Sequence, residues 1–167
     1  GQSVWAGPYT FRTLITPVWE EDFDVDGFPP NARWTQAKGS IGNPTVLTGT
    51  YSNWAEDGWL NVGYDGSVRC NINTYNSLNE WFFTELIDLG TGNNWELYFD
   101  AALTVQYASA SGSLEADDTL KVVISTDGGM TWNDANTILT IDQSNNLSNS
   151  AQTFTASLNN YSGIIAI

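Results

Sequence analysis

The sequence predicts an all-β, antiparallel protein, and three observations carry that expectation. Its 8 Trp, 7 Tyr and 7 Phe fall with the β-branched residues in short runs. Gly, Asn, Asp and Ser split these runs, and no stretch sustains the apolar spacing of three and four that an amphipathic helix requires. At 41% hydrophobic residues the chain is also too apolar to remain disordered. Strands are expected, in order, at residues 19–23 (Trp19 and Phe23 at its ends), 33–37 (around Trp34) and 58–62 (Trp59 and Leu60). They continue at 68–72, which alternates about Cys70, at the aromatic run 81–86, and at the long apolar stretch 95–107. The last three are 119–125, 136–141 and 152–157, each aliphatic or threonine-rich. Short strands at this spacing, with turn chemistry between them, indicate a sandwich or barrel. The polar, small-residue stretches 39–53, 73–80 and 109–117 read as surface loops.

Charge narrows the partners. Five Lys plus Arg against 19 Asp plus Glu give a net charge of -14, which repels nucleic acid and anionic membrane surfaces. The carboxylate surplus makes calcium, a hard cation that prefers oxygen ligands, the natural counter-ion. Histidine is absent, which removes the commonest general base and transition-metal ligand. The single cysteine, Cys70, cannot close an intrachain disulfide and reads as an inert thiol in a strand. No apolar run is long enough for a membrane helix. The apolar stretch Gly163-Ile164-Ile165-Ala166-Ile167 reads as a strand with an unpaired hydrophobic edge, so a piece of a longer polypeptide is expected.

Three landmarks in order carry a family resemblance across residues 19–167. Glu21-Asp22-Phe23-Asp24 is followed by Gly27-Phe28-Pro29-Pro30 and Trp34. Next comes Glu80-Trp81-Phe82-Phe83-Thr84-Glu85-Leu86-Ile87-Asp88-Leu89-Gly90, leading into Trp95 to Leu103 with Phe99-Asp100. Last is Asp118 to Gly129. Together they resemble the cleaved-adhesin and choice-of-anchor J domains, MAM-like relatives found as accessory modules in large secreted proteins of the Bacteroidota. The resemblance implies an antiparallel jelly-roll β-sandwich, export by a type IX route, and an extracellular or cell-surface location. Glu85 departs from it, standing where the family often has Pro, and the strands that usually close the domain are missing. Upstream, Val4-Trp5-Ala6-Gly7-Pro8-Tyr9-Thr10-Phe11-Arg12-Thr13 resembles the last strand of a fibronectin type III domain, the alternative being a first strand of the main domain. The expected division is 1–14 for that tail end and 15–167 for the MAM-like domain.

Asp22, Asp24, Asp26 and Gly27 have the opening spacing of an EF-hand loop, but Arg33 stands where its closing acid belongs. The resemblance implies a different calcium site, with acids of the first strand meeting Asp100 across the sandwich. Its ligands would be Asp22, Asp24, Asp100 and Asp118 or Asp117, with Asp100 in or beside the core. Ser125-Thr126-Asp127-Gly128-Gly129-Met130-Thr131-Trp132 fits an Asp box, a structural turn in which Ser125 and Asp127 bond the backbone, Gly129 turns the chain and Trp132 packs beneath. Acids such as Glu20, Glu21, Glu56 and Asp57 admit a glycosidase in principle, but no compact glycosidase pattern accompanies them. Tyr51, Trp54, Trp59, Tyr64 and Tyr75 lie in or beside polar, Asn- and Gly-rich segments, where aromatic faces can stack on sugars. Trp59, flanked by Gly58 and Leu60, reads equally as core. The functional expectation is a non-catalytic adhesion or carbohydrate-binding module, stabilised by calcium, that meets a glycan or a host or cell-surface protein beside neighbouring domains of its own polypeptide. The rivals are a spacer without its own ligand and, further off, part of a secreted hydrolase.

Overall fold

Alternation along the strand Glu80–Thr84 organises one half of the molecule: Trp81 and Phe83 face one way, Phe82 the other. A computed structural model describes residues 19–24, 33–48, 52–72, 79–92 and 94–167. In chain order the strands are β1 Trp34–Lys38, β2 Thr45–Val46, β3 Trp54–Gly58, β4 Gly66–Cys70, β5 Glu80–Thr84 and β6 Ile87–Asp88. They are followed by β7 Glu96–Ala101, β8 Leu120–Val123, β9 Thr137–Ile141, β10 Gln152–Ser157 and β11 Ile164–Ile165. Every pairing between named strands is antiparallel, and the helical pieces among the described residues are 3-10 turns of three residues each. The protein is all-β.

β1 sits between β2 and β5. Its pairing with β5 sets Gln36 opposite Phe82 and Ala37 opposite Trp81, so the sheet has two apolar faces. On one, Ala37 and Phe83 join Val123, Trp132 and Ala166 in a buried cluster. On the other, Trp34 stacks on Phe82 at 4.0 Å and 3°, and Phe82 on Trp54 at 5.2 Å and 20°, which seats the β3–β4 hairpin over that face. Gln36 Nε2 donates to the Trp54 carbonyl at 3.1 Å, and Asn53 Nδ2 to Glu80 at 3.3 Å, across the same junction.

The C-terminal apolar run is an interior strand, which corrects the expectation of an unpaired edge. β11 pairs with β6. Beyond it, Thr84 N–H donates to Ile167 O at 2.9 Å, while Ser125 and Ala166 exchange two backbone bonds of 2.9 and 3.0 Å. Ile165, fully buried, joins Ile87, Leu89, Ile124 and Leu158. β7 and β10 pair over six residues and turn Leu97, Phe99, Phe154 and Ala156 inward, onto clusters that include Ile124, Ile138, Leu139 and Ile141. Burying Ile124, Ile141 and Ile165 completely contributes about 1.5–3 kcal/mol each, more than an exposed ion pair at about 0–1 kcal/mol. Stability therefore concentrates around β6, β8, β9 and β11.

Several expected strands are displaced for local reasons. Residues 19–23 form no strand. Glu21 Oε1 accepts from Phe23 N–H and Asp22 Oδ1 from Asp24 N–H, side-chain turns that compete with pairing, and Phe23 takes φ +57°. Residues 59–61 form a 3-10 turn after β3, with Leu60 and Asn61 both at φ +60°. The stretch 95–107 leaves the sheet after Ala101, and β2 lies inside the expected 39–53 loop. The strand at 152–157 has the bounds expected for it. The fibronectin-like segment, Asp26-Gly27-Phe28-Pro29-Pro30, Tyr51 and Tyr75 lie outside the described residues.

Candidate functional site

The tip of the β3–β4 hairpin is forced into a tight shape by its glycines. A Cβ on Gly58 would stand 2.0 Å from the Val62 carbonyl oxygen, so only glycine lets the chain double back there. Leu60 and Asn61 then adopt left-handed conformations, which Asn tolerates but which cost Leu60 on the order of 1 kcal/mol and need external support. Asn61 supplies it. Its Nδ2 donates to Thr104 Oγ1 at 2.7 Å and to the Ala108 carbonyl at 2.8 Å, tying the tip to the loop that follows β7.

That second loop is itself a small hairpin. Val105 N–H donates to Ala110 O and Gly112 N–H to Leu103 O, while Asn149 Nδ2 grips the Ser109 carbonyl at 3.0 Å from the opposite side. Tyr107, at φ +61°, is held out from it. The two loops together present Trp59, Val62, Tyr64, Val105 and Tyr107 to solvent, with Tyr64 91% and Tyr107 78% exposed. Side-chain bonds from Asn61 and Asn149 brace the two loops, and Leu60 and Tyr107 hold the left-handed backbone that side chains of their type rarely adopt. Of the exposed residues the sequence singles out Tyr64 and Trp59, the latter more exposed than its alternative core reading allows, while Tyr107 lies inside an expected strand.

The other expected ligand-binding residue within the described part, Trp54, is turned inward. It is half-buried, its ring lies over Phe82, and its Nε1–H is buried with no acceptor among the described residues. An inward N–H cannot serve a ligand at the surface.

The expected calcium ligands have separate partners. Asp100 lies on the exposed face of β7 rather than in or beside the core, because Leu97, Phe99 and Ala101 take the inward positions of that strand; its Oδ1 accepts from Thr153 Oγ1 at 2.5 Å. Asp118 Oδ2 accepts from Glu115 N–H at 2.9 Å, and Asp22 caps Asp24. Among the described residues no group of three or more acidic, cysteine or histidine side chains is arranged to hold a metal ion.

Around Asp127, Ser125 Oγ donates to Asp127 Oδ1 at 2.7 Å and accepts from Gly129 N–H at 2.9 Å. Asp127 also accepts from Met130 N–H, Thr131 N–H and Thr131 Oγ1. Gly128 and Gly129 both take positive φ, and Trp132 lies beneath, stacked on Phe83 at 4.5 Å. These bonds, the Thr131 hydroxyl first, lower the Asp127 carboxyl from 3.8 to about 2. A depressed folded-state value stabilises the fold above the unfolded value, and that contribution is lost as pH falls from about 4 through about 2. Asp127→Asn should therefore flatten the acid limb between pH 4 and 2, as read by urea unfolding at successive pH values; an unchanged slope would exclude Asp127 from the acid response.

Arg33 builds a further cluster. It bridges Glu21 at 3.2 Å and Glu85 at 2.9 Å, donates to the Glu20 carbonyl at 2.6 Å and lies 4.8 Å over the Trp19 ring. Glu85 also accepts from Trp19 Nε1 at 3.0 Å, and the Arg33 bond, with that of Trp19, lowers its carboxyl. Glu85 thus has a structural task. Lys38, Arg69 and Lys121 are paired as well, with Glu80, Asp57 and Asp134. The Cys70 thiol is half-buried and pushed up to about 12, by desolvation first and the nearby Glu80 charge second, against the opposing pull of Arg69. It is protonated and unreactive at neutral pH. No family model, no curated protein and no solved structure matches this chain.

Proposed function

We propose that this chain is a non-catalytic, extracellular adhesion or carbohydrate-binding module of a larger secreted or cell-surface polypeptide, built as a jelly-roll sandwich. The observation that carries the reading is the pair Tyr64 and Tyr107, almost wholly exposed on two loops that Asn61 locks together. Large apolar rings held in water on strained, braced loops favour contact with a ligand over packing. An acidic chain without histidine fits a binding role better than acid–base catalysis. Calcium belongs to this reading through Asp22 and Asp24, which with Asp26 have the sequence spacing Asp-x-Asp-x-Asp of an oxygen-ligand loop. The spacer reading draws its support from Trp54, which packs inward on Phe82 instead of joining the surface.

Binding to arrayed glycans and cell-surface proteins, measured once in calcium and once in chelator, tests the proposal. Tyr64→Ala and Tyr107→Ala should each weaken the bound ligand about tenfold or more, equivalent to about 1.4 kcal/mol, without lowering the melting temperature. Failure to bind any arrayed ligand in either condition would favour the spacer, and equal binding in chelator would remove calcium from the site.

A further inference from the structure

Away from the hairpin tip, the outward face of the β7–β10 pair carries an arrangement that packing does not require. Alternation puts Glu96, Tyr98 and Asp100 of β7 on it together with Thr153, Thr155 and Ser157 of β10, all six exposed. The register sets Tyr98 opposite Thr155, Asp100 opposite Thr153 and Glu96 opposite Ser157. One ring, 69% exposed, is thus centred between two pairs, each a carboxylate and a hydroxyl. Thr153 Oγ1 donates to Asp100 Oδ1, which fixes that carboxylate as an acceptor beside the ring. At about 3.3 Å per residue, Glu96 and Asp100 stand about 13 Å apart along the strand with Tyr98 midway, on six consecutive paired residues that leave little to rearrange.

We propose that this face is a second ligand site that takes an uncharged oligosaccharide. The apolar face of one sugar ring stacks on Tyr98, and hydroxyls projecting from its edge bond to Asp100 and Glu96, with Thr153, Thr155 and Ser157 completing the polar frame. The inference rests on the reading of the chain as a binding module and adds the ligand class. That class follows from charge. The face carries two carboxylates and neither strand carries a cation. The cations Arg33, Lys38, Arg69 and Lys121 are each committed to an ion pair elsewhere. With a net charge of -14, the chain repels sulfated or uronic-acid polymers, so among saccharides the uncharged ones are favoured.

Calorimetric titration of the wild type, Tyr98→Ala, Tyr98→Thr and Tyr64→Ala with cellohexaose, xylohexaose, mannohexaose and laminarihexaose tests this, with a hexauronate and a basic peptide as controls. At least one neutral hexasaccharide should bind the wild type and lose tenfold or more in affinity in both Tyr98 variants, with unchanged melting temperatures throughout. Wild-type affinity in the Tyr98 variants overturns the proposal, as does binding of the basic peptide or the hexauronate alone. If a neutral sugar binds and only Tyr64→Ala weakens it, the second site fails while the module reading stands. If the wild type binds neither the hexasaccharides nor any arrayed ligand, both fail.

Discussion

Trp132→Ala is expected to destabilise the protein by about 3–5 kcal/mol, the range for removing a large buried aromatic side chain. Trp132 is 4% exposed and lies flat on Phe83, with Trp81 at 5.7 Å and Ala37, Val123 and Ala166 closing the cluster. Its ring fills the space between the β1–β5 sheet and the end of β8, and Ala37 and Ala166 are too small to close the gap it would leave. Since a domain's whole stability is about 5–15 kcal/mol, the loss would be a large share of it. Urea unfolding followed by tryptophan fluorescence measures the effect. Trp132→Phe keeps a stacking ring and should recover at least half of the loss. A cost below about 1 kcal/mol for Trp132→Ala would mean that the turn bonds of Ser125 and Asp127, rather than the indole beneath them, hold β8 in place.

The sequence was informative wherever a residue's environment is set by its near neighbours. Alternating Phe154 and Ala156 give β10 its inward face, and the Ser125–Trp132 spacing places the same residues about one turn. Elsewhere, tertiary contacts decide. Nothing local reveals that Ile164–Ile165 is paired with Ile87 and Asp88 across some 75 residues of sequence, whereas the outward direction of Asp100 follows from strict alternation with Leu97, Phe99 and Ala101. The hairpin tip differs from the expected strand because Leu60 adopts a left-handed conformation that side chains of its type avoid, beside an Asn61 that tolerates it and bonds to a loop more than 40 residues away. The aromatic surface was therefore legible as composition, in Trp59 and Tyr64, but not as a place. Tyr107 joins it only through that bond.

Arg33→Ala should be the most damaging change of a charged residue, at about 2–3 kcal/mol. Arg33 is more than a surface ion. Glu21, whose side chain is 7% exposed, accepts from it while also accepting from Trp34 Nε1 at 2.8 Å and Phe23 N–H at 3.0 Å. Removing the guanidinium leaves a nearly buried carboxylate with hydrogen bonds but without its counter-charge. The cost falls between the 0–1 kcal/mol of an exposed pair and the 3–5 kcal/mol of breaking a fully buried one, because Arg33 and Glu85 remain in contact with water. Arg33→Lys keeps the charge but loses the planar fork that reaches Glu21, Glu85 and the Glu20 carbonyl together, so it should recover less than half. Glu21→Gln removes the charge that Arg33 balances, and the double variant should therefore be more stable than the sum of the single losses implies, by 1 kcal/mol or more. Additive losses in urea unfolding would show that the two charges do not act together and that residues 19–24 are held by their other contacts, among them the edge-on packing of Trp19 and the tilted packing of Phe23 against Trp34.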